Sequence, residues 1–93
     1  MREMSEINYP GGALVPLSEL KVGESGIIES YKTNGSIYFR LRELGLVRGT
    51  RVHVKRLAPF RDPVELVVRG YSLSLRKEDA SHIFVKKTQM KNI

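Results

Sequence analysis

Between Arg40 and Arg61 the chain carries seven cations, Arg40, Arg42, Arg48, Arg51, Lys55, Arg56 and Arg61, against the single acid Glu43. That excess of six equals the whole net charge of +6. The other nine bases and nine acids cancel. So concentrated a positive field draws an acidic or phosphate-bearing partner, although charge alone is equally consistent with a solvated basic face. The other chemistry on offer is metal ligation by His53 and His82. Each falls on or beside a strand pattern. If those strands are neighbours, two imidazoles with a carboxylate such as Glu65 or Asp79 suit zinc or ferrous iron. Exposed, unliganded histidines are the plainer reading.

Catalysis has little to stand on. The sequence has no cysteine nucleophile, no G-x-G-x-x-G run and no Walker loop. Glu78 and Asp79 are adjacent on one turn, so their carboxylates point apart, and a solvated helix start explains them. The expectation is a protein that is not an enzyme. Nucleic acid is the rival partner, because small basic barrels bind single strands by stacking bases on aromatic rings. Here Phe60 at a loop tip and Phe84 near the C-terminus are scattered rather than set in a row, which suits packing or partner contact better.

The elements that position these residues follow from length and period. Ninety-three residues make one domain, and 41% hydrophobic with 28% charged residues is the composition of a folded soluble protein. Without cysteine there is no disulfide framework and no thiolate metal site, so a reducing, cytoplasmic home is expected. No apolar run is long enough to span a bilayer, and the start Arg2-Glu3-Met4-Ser5-Glu6 is unlike a signal peptide.

Residues 1–15 show no sustained period and read as a tail, as do 88–93, leaving a domain over 16–87. Leu17 and Leu20 suit one helical turn. Ser25–Tyr31 is rich in β-formers. Ile37, Leu41 and Leu44 share one helical face, which predicts a helix over about 36–44, capped by Asn34 or Ser36 and stopped at Gly45 by a left-handed residue. Gly49 fits the third position of a tight turn. From Thr50 the period becomes two: Val52 and Val54, then Val64, Leu66 and Val68, then Leu73 and Leu75 alternate with polar residues. A helical turn at 77–81 and a last strand with Ile83 and Val85 follow. Five short strands with one helix inserted after the first predict a mostly β fold closed into a small barrel, since closure removes exposed edges. The predicted inward set is Leu20, Val22, Ile27, Leu41, Leu44, Leu46, Val52, Val54, Val64, Leu66, Val68, Leu73, Leu75, Ile83 and Val85.

The segments Pro16–Gly26, Leu41–Thr50, Ala58–Pro63, Val68–Tyr71 and Leu73–Arg76, in that order and spacing, resemble the FeoA family of bacterial ferrous iron transport proteins. The resemblance runs over about residues 16–85 and implies an SH3-like barrel with a helix after the first strand. It also implies a cytoplasmic accessory factor, peripheral to the inner membrane through its partner, the GTP-binding region of the membrane iron transporter. The same barrel serves as the C-terminal module of metal-dependent repressors, which is the alternative regulatory role. Arg48 replaces the family's common Pro and Arg61 its common Gly, so a less pre-organised corner and an altered Phe60 loop are expected. Partner contact is placed on Arg40, Arg42, Arg48 and Arg51 and on Phe60 and Arg61, because desolvated Arg and aromatic side chains anchor interfaces. No cofactor is required, weak ferrous iron or zinc binding at His53 and His82 is an added expectation, and a homodimer is left open.

Overall fold

The structure is a computed structural model that describes residues 4–8 and 14–92. Seven strands, β1 (Met4–Asn8), β2 (Leu14–Pro16), β3 (Ser25–Tyr31), β4 (Arg51–Leu57), β5 (Val64–Val68), β6 (Tyr71–Leu75) and β7 (Ile83–Asn92), form one antiparallel sheet. Helix α1 (Gly35–Glu43) joins β3 to β4, and the single turn α2 (Lys77–Ala80) joins β6 to β7. Short 3-10 segments lie at Leu17–Glu19 and Pro59–Arg61. The mostly β architecture with a helix after the first core strand is as the periodicity implied, but it has seven strands in an unclosed sheet where five in a closed barrel were expected.

The ends of the chain are not tails throughout. β1 and β2 both pair with β7, Met4 opposite Asn92 and Leu14 opposite Lys86. Such pairing is a non-local main-chain contact, and no short-range pattern announces it. The Pro10–Gly12 part of that tail lies outside the described residues. This arrangement also explains why the ladder is not closed. The order is β1-β7-β3-β4-β5-β6, and the edge of β7 that would have to meet β6 is taken by β2 and β1. Closure is by packing instead: the 3-10 turn at Leu17 touches α2, and Leu17 and Ala80 are both fully buried.

Most of the inward set holds, with instructive exceptions. Ile28, not Ile27, faces the core, because Ile28 pairs with Val85 whereas Ile27 pairs with Lys86 and Arg51. Val22 is 56% exposed on the turn before β3. Leu44 and Leu73 are only partly buried, at the rim of the core.

Helix α1 starts after Asn34, whose side chain makes no capping bond, and it ends as the glycine predicted. Gly45 has φ +89°, its N–H donates to Arg42 O at 2.9 Å, and Leu46 N–H reaches back to Leu41 O at 3.1 Å. These are the two bonds of a Schellman stop, with Leu41 and Leu46 buried beside them. Gly49, also at φ +89°, takes the third position of the turn closed by Thr50 N–H to Val47 O at 3.0 Å. Arg48 therefore fills the second position without loss of the turn.

Leu41→Ala should cost about 2–5 kcal/mol in urea unfolding, and Leu44→Ala distinctly less, because only the former empties a fully enclosed site. The second expectation concerns pH. Lys21 N–H donates to Glu24 Oε1 at 2.8 Å and Lys87 Nζ lies 2.9 Å from its Oε2. The backbone bond, with help from Lys87, holds the Glu24 carboxyl below its ordinary 4.5. A folded-state pKa below the unfolded one stabilises above that ordinary value and is lost as pH falls through the depressed one. Glu24→Gln should therefore flatten the acid limb of a stability-versus-pH curve.

Candidate functional site

One face of α1 and the corner that follows it form a shallow groove. Tyr38 and Arg42 sit four residues apart on α1, so they share a face, and the Arg42 guanidinium lies 5.6 Å from the Tyr38 ring centre. Tyr38 meets Tyr31 of β3 edge to face at 5.2 Å and Phe39 at 5.5 Å. Glu29, Tyr31, Tyr38, Arg42, Val47 and Arg48 line this groove, and Phe39, Arg42, Glu43 and Val47 line an adjoining hollow. Phe39 is 59% exposed. The surface thus alternates aromatic faces with two guanidiniums and is bordered by Glu29 and Glu43. The Tyr31 hydroxyl donates to Leu46 O, which pins the groove floor to the corner. Burial pushes the Tyr31 phenol above its ordinary range, Tyr38 adds to that and Arg42 opposes it.

The basic segment is contiguous in sequence but not in space. Arg42 and Arg48 come together in the groove. Arg40 turns instead to α2, where it pairs with Asp79 at 2.8 Å. Arg51 lines a separate hollow with Thr50, Val67 and Arg69 and donates to Ser25 Oγ at 3.0 Å. Phe60 and Arg61 line neither of these and sit on the 3-10 segment between β4 and β5. Phe60 is 96% exposed, and both residues have φ +63°. Arg61 thus keeps the left-handed conformation that glycine favours instead of reshaping the backbone around it, at a local cost on the order of 1 kcal/mol. Tyr38, Phe39 and Val47 were not read as site residues. Their signal was the three- and four-residue spacing of aromatics against Arg42 on a short helix, which core packing explains equally well.

The histidines do not meet. β3 lies between β4 and β7, so the strands that carry or adjoin them are not neighbours. His53 flanks Ser25 at one end of β3, its Nδ1 2.7 Å from Ser25 Oγ, while His82 precedes Ile83 opposite Tyr31 at the other end. Six residues of extended chain separate those ends by roughly 20 Å. Among the described residues no group of three or more potential ligands gathers. Asp79 is engaged by Arg40, and Glu65 lies 3.5 Å from Arg56.

Comparison with known proteins adds to this geometry. The model of the FeoA domain matches residues 15–87. A Porphyromonas gingivalis fusion of Fe(2+) transport protein A with the Fe(2+) transporter FeoB is 40% identical over 70 residues, 75% of this chain. The chain spans only 8% of that relative's length. The solution structure of FeoA from Chlorobium tepidum is 39% identical with a TM-score of 0.71, over 77% of this chain and 69% of that one. The crystal structure of Stenotrophomonas maltophilia FeoA complexed with zinc, an SH3 domain protein, is 32% identical with a TM-score of 0.66, over 76% of this chain and 92% of that one.

Because His53 and His82 share no site, their contributions to any zinc titration should be independent. Calorimetry on His53→Ala, His82→Ala and the double variant is expected to show additive effects, whereas loss of one common stoichiometric site in both singles would mean that the imidazoles are brought together.

Proposed function

Since the chain belongs to the FeoA family, which is associated with ferrous iron transport, we propose that it is an accessory factor that docks on the cytoplasmic GTP-binding region of a membrane ferrous iron transporter and modulates it. The observation that carries this reading is the relative in which the same domain is covalently joined to FeoB. A fusion holds two modules at high effective concentration. The contact itself must come from the domain's own surface.

The groove beside α1 is the surface best suited to that contact. Exposed Phe39 and half-buried Val47 and Tyr38 offer apolar area, and Arg42 and Arg48 offer fork-shaped donors for carboxylates. Aromatic and Arg side chains that become desolvated are the usual anchors of an interface, and a net charge of +6 speeds association with an acidic region. Phe60 and Arg61 are a second, outlying contact, and Arg51 widens the positive field. Arg40 acts mainly through Asp79, holding α1 against α2. The chain reaches the membrane through this partner, and no helix among the described residues is long and apolar enough to cross a bilayer. No metal or nucleotide on this chain is needed for the role. Nucleic acid fits less well: the ring cluster is one compact patch flanked by Glu29 and Glu43, not a row along a basic channel.

The test is titration of the chain into the purified cytoplasmic region of the transporter, with and without guanine nucleotide and at two salt concentrations. Arg42→Glu with Arg48→Glu should weaken binding at least about tenfold, roughly 1.4 kcal/mol, and slow association while leaving the urea midpoint in place. Phe39→Ser should weaken it chiefly through faster dissociation. An unchanged dissociation constant in both variants would remove the groove from the interface. No binding by the parent chain would remove the docking role.

A further inference from the structure

At the end of the sheet where β4 begins and β5 stops, Gly49, Thr50, Arg51, Val67, Arg69 and Gly70 line a hollow. It shares no lining residue with the groove beside α1 or with the hollow adjoining that groove. Its walls follow from register. Val52 of β4 pairs with Val68 of β5, and one step beyond that pair come Arg51 on β4 and Arg69 in the turn that leads to β6. Two cations are thus carried to one place by separate segments. None of the described residues that line the hollow is acidic.

Each guanidinium is held by a hydroxyl. Arg69 donates to Thr50 Oγ1 at 3.2 Å and Arg51 to Ser25 Oγ at 3.0 Å, and Ser25 Oγ lies 2.7 Å from His53 Nδ1. Thr50 and Ser25 are each only 6% exposed, so both anchors are themselves fixed in the fold. A hydroxyl oxygen orients a guanidinium without neutralising it. Among the described residues no carboxylate pairs with Arg69, and the bond to Thr50 uses one of its N–H donors.

The place given to Arg69 is costly. Arg69 and Gly70 form a two-residue turn between β5 and β6, with φ +51° and +85°. The residues of such a turn are ordinarily Asn, Asp or Gly, because a larger side chain in the left-handed region crowds its own backbone. Arg69 also brings a second cation beside Arg51, and neighbouring like charges on a strand pair repel. Asparagine would suit the same turn with neither penalty. Strain kept where an ordinary turn residue would serve points to a side chain retained for what it contacts.

The donor set selects the ligand. A carboxylate offers two oxygens in one plane and a single charge. A phosphate group carries about −1.5 to −2 charges and three acceptor oxygens, enough to meet two guanidiniums at once. We propose that this hollow binds a single phosphate group, which takes charge-assisted hydrogen bonds from Arg69 and Arg51 while the buried Thr50 hydroxyl keeps Arg69 at the wall. The group arrives as inorganic phosphate or as the end of a phosphate monoester. The site does not rest on the docking role proposed for the groove beside α1.

The probe is sodium phosphate at mildly alkaline pH, titrated into the full isotopically labelled chain with sodium chloride holding the ionic strength constant. The amide signals of Thr50 and Gly70 and the Nε–H signals of Arg51 and Arg69 should move together and saturate within the millimolar range. Sodium acetate should act at least about tenfold more weakly. Arg69→Asn supplies the usual turn residue, so the urea midpoint should hold or rise while phosphate binding weakens at least about tenfold. Arg76→Gln removes an equal charge at the far end of β6 and should leave binding unchanged. Glycerol 3-phosphate and phosphatidate vesicles carry the same group on a soluble ester and on a lipid. The stronger competitor identifies the source, and failure of both leaves inorganic phosphate as the ligand. The proposal is overturned if the shifts rise without saturating, if acetate matches phosphate, or if Arg69→Asn binds as the parent does. It is equally overturned if Arg76→Gln weakens binding as much as Arg69→Asn, which would make the effect one of net charge.

Discussion

The corner between α1 and β4 ties down a run of carbonyl groups, and the groove and the core strands are arranged about it. Leu41 and Arg42 carbonyls receive the N–H groups of Leu46 and Gly45, Leu44 O accepts the Tyr71 hydroxyl at 2.5 Å, Leu46 O accepts the Tyr31 hydroxyl, and Val47 O accepts Thr50 N–H. Ile28 of β3 adds two more bonds, donating to Thr50 O and accepting from Gly49 N–H. A reversal of direction without regular pairing would otherwise strand these groups at the edge of an apolar core. Two strands, β3 and β6, therefore hold one corner. Arg42 and Arg48, on either side of it, are positioned as a result.

β7 has the complementary role. It pairs with β3 on one edge from Ile83 to Thr88, and on the other with β2 over Phe84–Lys86 and then with β1 over Thr88–Asn92, so its core half is saturated. That saturation completes the core at Val85 and Ile83, and it also denies β6 the partner that would close the ladder. The core tolerates the gap because Leu17 and Ala80 plug it with apolar side chains. Backbone groups at the gap are left to solvent. The molecule thus presents two unlike surfaces, an aromatic and basic groove built from side chains and a bare strand edge built from main chain.

Local chemistry was legible wherever a residue's neighbours in sequence are also its neighbours in space. Ile37, Leu41 and Leu44 announced α1, Gly45 its end, Gly49 the turn, and alternating valines and leucines the strands from Thr50 to Leu75. Legibility failed where a second segment decides the outcome. Ile27 and Ile28 are equally apolar, and only pairing with Lys86 or with Val85 separates them. The Met4–Asn8 segment has no pattern of its own and becomes a strand against the end of β7. The predicted docking residues divide in the same way: Arg42 and Arg48 converge, while Arg40 is diverted by Asp79, thirty-nine positions later in the sequence.

By itself the sequence determined the types and order of the core elements, the corner, the excess of positive charge and the likeness to ferrous iron transport proteins, because period, turn chemistry and net charge are properties of short stretches or of simple sums. Only the tertiary structure decided which cations share a surface, that the two histidines stand at opposite ends of β3, and that β6 keeps a free edge. Those are questions of distance and pairing between remote segments, and they are answered only once the strands have been laid side by side in one register.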